Sequence, residues 1–354
     1  MPRASEALWE LAQAEAERGG DAEGAAEKAL LFLGSKAGGK TTIILRCLDR
    51  EEIPKPTLAL EYTFGRRAKG HNTISSHVQD KPKDIAHFWE LGGGTSLLEL
   101  IQIPITSDNI RTFAIVLVLD LSKPSELWST MEGLLQVTRN HLNKLITKLG
   151  KTNPKVATEI REMWNNIQKD HPDYELIDPF PIPLVIIGSK YDIFHEFDSE
   201  MRKIICKTLR FVSHYYGASL VFTGKPDTLL LKARILINHL AFGFERSKSI
   251  SVDQNKPLFI PAGLDSLSQI GPPPASDSDI GKLHAHTPLD LWKKVYEKAF
   301  PPMRNSDLKD SKDPALDPQY AEYEIDAMRT QKNQELEQYK RNASKSWKEM
   351  ELES

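Results

Sequence analysis

The sequence predicts an α/β domain with a mostly parallel six-stranded sheet flanked by helices, plus helical extensions at the N- and C-terminal ends. Three observations carry this prediction. Apolar runs and amphipathic stretches alternate from residue 29 to about residue 244. Several of the apolar runs are continuous, as expected for strands covered on both faces. The first run, Ala29-Leu30-Leu31-Phe32-Leu33, leads directly into the glycine-rich turn Gly34-Ser35-Lys36-Ala37-Gly38-Gly39-Lys40-Thr41, and an apolar stretch with helical spacing follows.

In chain order, strands are expected at 29–33, 58–65, 85–91, 113–120, 184–188 and 219–222. The second alternates and carries Glu61, so it is expected at a sheet edge. Helices are expected at 41–49, 125–149, 198–216 and 228–244. Residues 150–183 interrupt the alternation with a helix at 155–169 and a Pro-rich loop, an insertion that serves either partner binding or plain loop growth. The domain therefore spans 29–246. Before it, residues 1–28 form an expected helical arm with Leu8 and Leu11 on one face. After it, residues 247–317 are rich in Pro, Ser and Asp and read as a wrapping extension. Within that extension Thr287-Pro288 opens a helix at 289–299, with Leu291, Trp292, Val295 and Phe300 available to pack on the core. His284 and His286 lack a second ligand pair nearby, so they read as solvated or packed histidines. In 318–354, Ile325, Met328, Leu336, Tyr339, Ala343, Trp347 and Met350 recur at spacings of three and four. That narrow stripe suits a coiled-coil seam or a segment that folds onto a partner, with a solvated tail as the bland alternative.

Composition excludes several function classes. A net charge of −3 on 354 residues leaves no electrostatic footprint for nucleic acid or for an anionic membrane. No apolar run approaches the roughly 20 residues of a membrane-spanning helix. The N-terminal stretch lacks the apolar core of a signal peptide, Pro2 stands where myristoylation needs glycine, and no prenylation box closes the chain. The expectation is a soluble intracellular protein whose two cysteines, Cys47 and Cys206, are reduced and buried.

The turn at 34–41 has the pattern of a phosphate-binding loop. Its backbone N–H groups and the following helix N-terminus suit an anion, Lys40 can reach the β- and γ-phosphates, and the Thr41 hydroxyl can hold Mg²⁺. Thr42 completes the phosphate-side set. Further along, Pro56-Thr57 precedes the edge strand, Trp89-Glu90-Leu91-Gly92-Gly93-Gly94 closes the third, and Ser189-Lys190-Tyr191-Asp192 closes the fifth. Thr223-Gly224-Lys225 follows the sixth. In that order these elements resemble a Ras-like GTPase. The resemblance implies GTP or GDP with Mg²⁺ as cofactor, with Thr41, Thr57 and Glu90 around the metal. It also implies a guanine site at Ser189, Lys190, Asp192, Thr223, Gly224 and Lys225. Asp192 can accept from guanine N1–H and N2–H₂. Three departures weaken the likeness to a working enzyme. Glu90 replaces Asp on a longer stem, Ser189 replaces Asn, and Gly94 stands where such GTPases place the Gln that orients the attacking water. No catalytic residue is expected.

The combination is more specific than a small GTPase. The loop 34–42, Leu60-Glu61-Tyr62-Thr63-Phe64-Gly65-Arg66-Arg67, Trp89–Gly94 and Val118-Leu119-Asp120-Leu121-Ser122-Lys123-Pro124 resemble the dynein light intermediate chains, and the moderate length resembles their dynein 2 branch. This resemblance implies a non-catalytic motor subunit. Its partners would be the dynein 2 heavy-chain tail, other dynein 2 subunits and the intraflagellar transport machinery, without nucleic acid or membrane. It would work in the cytoplasm, cilium, axoneme, basal body and centrosome. A regulatory GTPase whose catalytic water is positioned by a partner is the alternative. A phosphate-loop kinase or ATPase is disfavoured by Asp192.

Overall fold

A computed structural model describes residues 27–68, 83–168, 171–245, 247, 249–274, 284–302 and 322–352. The N-terminal arm and its Leu8/Leu11 face lie outside the described residues. The chain divides into two compact units, Met1–Pro302 and Met303–Ser354.

The first unit is built on a seven-stranded sheet in the order β2-β3-β1-β4-β5-β6-β7. The strands are β1 (Lys28–Gly34), β2 (Leu60–Ala68), β3 (Lys83–Leu91), β4 (Phe113–Asp120), β5 (Leu184–Ser189), β6 (Ser219–Phe222) and β7 (Phe259–Ile260). Strands β3, β1, β4, β5 and β6 run parallel to one another. The outer pairs, β2 on β3 and β7 on β6, are antiparallel. Strand β2 is an edge, as its alternation and Glu61 predict. The seventh strand was not expected. It is two residues long, inside the Pro-rich extension, and its Phe259 and Ile260 are recruited by the free edge of β6 rather than by any periodicity of their own.

The continuous apolar runs have the physical cause assigned to them. Along β1, Leu30 and Phe32 join the core on one face of the sheet while Leu31 and Leu33 join the core on the other. Strand β4 does the same, with Val116 and Val118 opposite Ile115, Leu117 and Leu119. A strand buried on both faces leaves no position for a polar residue. One face is covered by α1 (Lys40–Cys47) and α6 (Asp227–Phe242) through Ile43, Ile44, Leu236 and Ile237. The other is covered by α2 (Pro124–Thr152), α3 (Pro154–Gln168) and α5 (Ser199–Tyr215). The short helix α4 (Tyr191–Phe194) leads out of β5.

The extension after α6 folds back on this core. Beyond the short α7 (Leu267–Ile270), helix α8 (Pro288–Ala299) starts at Thr287, whose side chain accepts from the Asp290 amide as an N-cap, with Pro288 in the first turn. Trp292 stacks on Phe211 of α5 with ring centroids 4.5 Å apart and planes 8° from parallel. Tyr296 packs beside Trp128, and its hydroxyl donates to the Pro124 carbonyl at 2.9 Å. Trp292, Val295 and Phe300 are buried as expected, Leu291 is half-buried, and Tyr296 is the packing residue that the sequence reading passed over. Cys47 and Cys206 are buried and unpaired, and burial pushes both thiols up to about 12, so both stay protonated and inert at neutral pH.

The second unit contains α9 (Tyr323–Leu352). Ile325, Met328, Leu336 and Tyr339 of the expected stripe are exposed on it. Among the described residues, no helix is long and apolar enough to cross a membrane.

Candidate nucleotide site

The site sits at the carboxyl ends of the parallel strands, where the loops after β1, β3, β4, β5 and β6 meet. Residues 34–39 turn the chain from β1 into α1 with three positive φ angles, Gly34 at 139°, Ala37 at 55° and Gly39 at 89°. Internal bonds hold the turn. The Ser35 amide donates to the Val118 carbonyl and the Gly38 amide to the Ser35 carbonyl, both at 3.0 Å. Gly39 occupies the N-cap of α1, with no side chain capping the helix and no acid in its first turn. The helix start therefore presents its N–H groups to the turn without a carboxylate competing for them.

Lys40 is buried in the turn, its Nζ donating to the Gly34 and Ser35 carbonyls at 3.4 and 3.0 Å. Burial lowers its affinity for a proton, and Glu90 nearby partly restores it. The three residues expected around a metal converge from three separate segments. Thr41 Oγ1 donates to Glu90 Oε1 at 2.9 Å and lies 3.4 Å from Thr57 Oγ1. Thr57 is held there by backbone. Gly92 N–H donates to the Ala59 carbonyl at 2.7 Å, and a Cβ on Gly92 would fall 2.3 Å from the Thr57 carbonyl oxygen. Two hydroxyls and a carboxylate in contact are the hard oxygen donors that Mg²⁺ takes, usually with waters and phosphate oxygens completing the octahedron.

Burial raises the Glu90 carboxyl above its ordinary value of 4.5, against the opposing pull of the Thr41 hydrogen bond, the Lys40 charge and Thr57. Its folded-state affinity for protons exceeds that of the unfolded chain. Its contribution to stability is therefore fullest below pH 4.5 and is lost as the pH rises from there through the raised folded value. Glu90→Gln, which keeps the acceptor for Thr41, is expected to remove this loss and make the metal-free chain more stable at pH 7. Thermal melts of both proteins between pH 5 and 7.5 check it. A variant that melts lower than its parent at pH 7 would contradict the assigned burial cost.

The second lobe of the site is a cleft of about 420 Å³ lined by Gly38, Gly39, Thr42, Ser189, Lys190, Asp192, Thr223, Gly224 and Lys225, together with Ile43, Ile193 and Leu230. Every base-side residue expected from the sequence lines it. Asp192 Oδ1 accepts from the Lys225 amide at 3.0 Å, which ties the β5 loop to the β6 loop. Ser189 Oγ donates to the Leu119 carbonyl at 3.1 Å, so it braces β4 where an asparagine would reach further. Thr223 Oγ1 is buried without a hydrogen-bond partner among the described residues. A buried hydroxyl left unpaired is costly. The cleft and the oxygen cluster thus fit a nucleotide with its metal.

Gly94 lies against the phosphate loop. A Cβ built on it would sit 3.4 Å from the Lys36 amide nitrogen. A side chain here would lie against the glycine-rich turn, and the residue that is present has none. Its φ of 62° is in the left-handed region that favours glycine.

With the geometry in place, the chain can be set beside known proteins. A family model described as dynein light intermediate chain (DLIC) matches residues 3–174. The chain is 70% identical over 357 residues to cytoplasmic dynein 2 light intermediate chain 1 of Bos taurus, covering 99% of each. It belongs to the dynein light intermediate chain family. The protein of the same name from Danio rerio is 57% identical over 366 residues, covering 100% of both chains. The crystal structure of the dynein light intermediate chain's conserved domain superposes with a TM-score of 0.53 at 16% identity, covering 77% of this chain and 97% of that one. That last likeness concerns the fold alone.

In this light intermediate chain, one member of the site escaped the sequence reading. Asp120, 1% exposed, accepts from Lys190 Nζ at 2.5 Å and from the Ser122 amide and hydroxyl. The Lys190 ammonium is thus engaged by this carboxylate. A lone acid at the carboxyl end of a central apolar strand was the available signal, since buried carboxylates almost always have a partner or a ligand.

Proposed function

We propose that the chain is a non-catalytic accessory subunit of a dynein 2 motor, binding and stabilising the heavy-chain tail for retrograde intraflagellar transport and cilium assembly. Full-length identity to proteins named for that complex supports the motor assignment. Gly94 supports the non-catalytic part. The position over the phosphate loop carries no group that could orient a water, and such orientation is what separates nucleotide binding from fast hydrolysis. GTP or GDP with Mg²⁺, held by residues 34–42, Thr57, Glu90 and the Ser189–Asp192 and Thr223–Lys225 loops, would then act as a structural ligand, stabilising the folded platform by mass action. The subunit would work in the cytoplasm and at the cilium, axoneme, basal body and centrosome, alongside other dynein 2 subunits and the transport machinery.

The second reading is a regulatory GTPase completed by a partner, favoured by the convergence of Thr41, Thr57 and Glu90. Two measurements separate them. Nucleotide released from the purified chain by denaturation and identified by chromatography is expected to be guanine nucleotide, and to be lost in Lys40→Ala. Single-turnover hydrolysis of bound GTP is expected to be negligible with or without the heavy chain. Turnover accelerated by that partner would overturn the platform reading in favour of the second.

A further inference from the structure

Outside the nucleotide site, the insertion loop, helix α5 and the extension converge on a buried polar cluster. His171 and Asp173 come from the insertion, His214 from the last turn of α5, and Asp265 and Leu267 from the extension. His214 and Asp173 are buried and His171 nearly so. The ligand atoms of His171, Asp173 and His214 all lie within 4.8 Å of one another. His214 Nε2 is 2.9 Å from Asp173 Oδ2, and His171 Nδ1 is 3.8 Å from the same oxygen.

We infer that His171 Nδ1, Asp173 Oδ2 and His214 Nε2 form a site for one divalent transition-metal ion of the zinc class. Two imidazoles and a carboxylate are a donor set for such ions, and bonds of about 2.0–2.2 Å in a tetrahedron place ligand atoms roughly 3.3 Å apart. The two separations from Asp173 Oδ2, 2.9 and 3.8 Å, bracket that value, and side-chain shifts that bring the ligand atoms closer than their 4.8 Å limit close the site. The outer contacts are those that metal ligands require. His171 Nε2 donates to the Asp265 carbonyl at 2.9 Å, which sets the tautomer and leaves a lone pair on Nδ1. Asp265 is itself anchored by a bidentate ion pair, accepting from Arg210 Nε at 2.9 Å and Nη2 at 2.7 Å. Asp173 Oδ2 is oriented by the Leu267 amide at 2.8 Å. The competing claim on His171 Nδ1 is the Asp173 amide at 3.2 Å, the long end of the hydrogen-bond range, and a metal ion displaces it. On His214 the Nε2 proton gives way to the metal and the ring carries its proton on Nδ1, so binding through neutral imidazole needs no net charge on the ring. The ion would staple the insertion to α5, segments 41 residues apart, and the Leu267 amide on Asp173 ties the extension, 94 residues away, to the same corner.

The full-length chain, stripped with a chelator and dialysed against Zn²⁺, is expected to retain one zinc per chain by elemental analysis. Its melting temperature should rise with Zn²⁺ in the parent and rise far less in His171→Gln. Loss of a ligand should cost more than the 10–100-fold that loss of an outer contact costs, so His171→Gln is expected to weaken zinc binding by on the order of 100-fold or more. His171 is the least buried of the three, so this variant is the one expected to stay folded, as circular dichroism verifies. Cobalt loading adds a second readout, with tetrahedral visible bands expected in the parent and absent in His171→Gln. The assignment is overturned if the stripped chain takes up no zinc, or if His171→Gln binds it as tightly as the parent. Zinc binding should be unchanged in Lys40→Ala, which separates this site from the nucleotide.

Discussion

Replacing Gly34 with alanine is expected to leave little or no soluble folded chain. A Cβ at this position would fall 1.8 Å from the carbonyl oxygen and 2.7 Å from the carbonyl carbon of Val118. Gly34 is the residue paired with Val118 at the end of the β1–β4 ladder, and both strands are in the middle of the sheet. No flexible side chain is available to give way, because the obstacle is backbone. The φ of 139° adds strain for any residue with a Cβ. Relief requires the two central strands to separate where the Ser35 amide bonds to Val118, which also dismantles the phosphate loop. The expected cost exceeds about 4 kcal/mol, the range kept for a few named mechanisms of which this is one, against a typical total of about 5–15 kcal/mol. Gly39→Ala is the control. Gly39 has φ 89° but open space where its Cβ would go. Strain alone costs roughly 1–2 kcal/mol there, so this variant should fold. Soluble yield and thermal melting of the pair read the difference. A Gly34→Ala protein that melts like Gly39→Ala would refute the close approach.

Asp265→Ala is expected to cost about 3–5 kcal/mol, the range for breaking a buried ion pair by removing one partner. Asp265 is 5% exposed and holds both Arg210 Nε and Nη2. Truncation leaves a guanidinium inside the core with its charge uncompensated, and that penalty outweighs the lost attraction. For a unit of this size the melting temperature should fall by on the order of 10 °C. The double variant Arg210→Met with Asp265→Leu should recover most of the loss, since no charge then remains to be solvated. If Asp265→Ala melts within a degree or two of the parent, the extension is not anchored through this pair. The pair is also one of the ties between the residues after 247 and the domain, so the variant tests whether the extension is structural.

The expected elements came out within a few residues of their observed bounds because their signals are local. Strand β4 reads as an unbroken apolar run since both its faces are buried, and α8 announces itself through Thr287-Pro288. The candidate site was largely legible for the same reason. The phosphate loop is one continuous segment whose residue types are each demanded by backbone geometry or charge. Asp120 left one signal, an acid closing an apolar strand, while the pairings of Asp120, Tyr296 and the His171–Asp173–His214 cluster were not legible. Each has an ordinary local setting, and its importance comes from a partner far along the chain: Lys190, Pro124, or segments 41 and 94 residues away. His284 and His286, close in sequence, drew attention instead and prove exposed.

Alone, then, the sequence determined the α/β class, the order of the strands along the chain, the glycine-rich turn between β1 and α1 and the missing side chain at Gly94. All of these are written in nearest-neighbour periodicity or in a single residue type. Only the tertiary structure decided that Thr41, Thr57 and Glu90 touch, that Lys190 is drawn to Asp120, that β7 completes the sheet, and that Arg210 and Asp265 pair inside the core. Those facts depend on which distant segments the burial of two apolar faces brings together, and no local pattern encodes a contact between residues that are neighbours only after the core has formed.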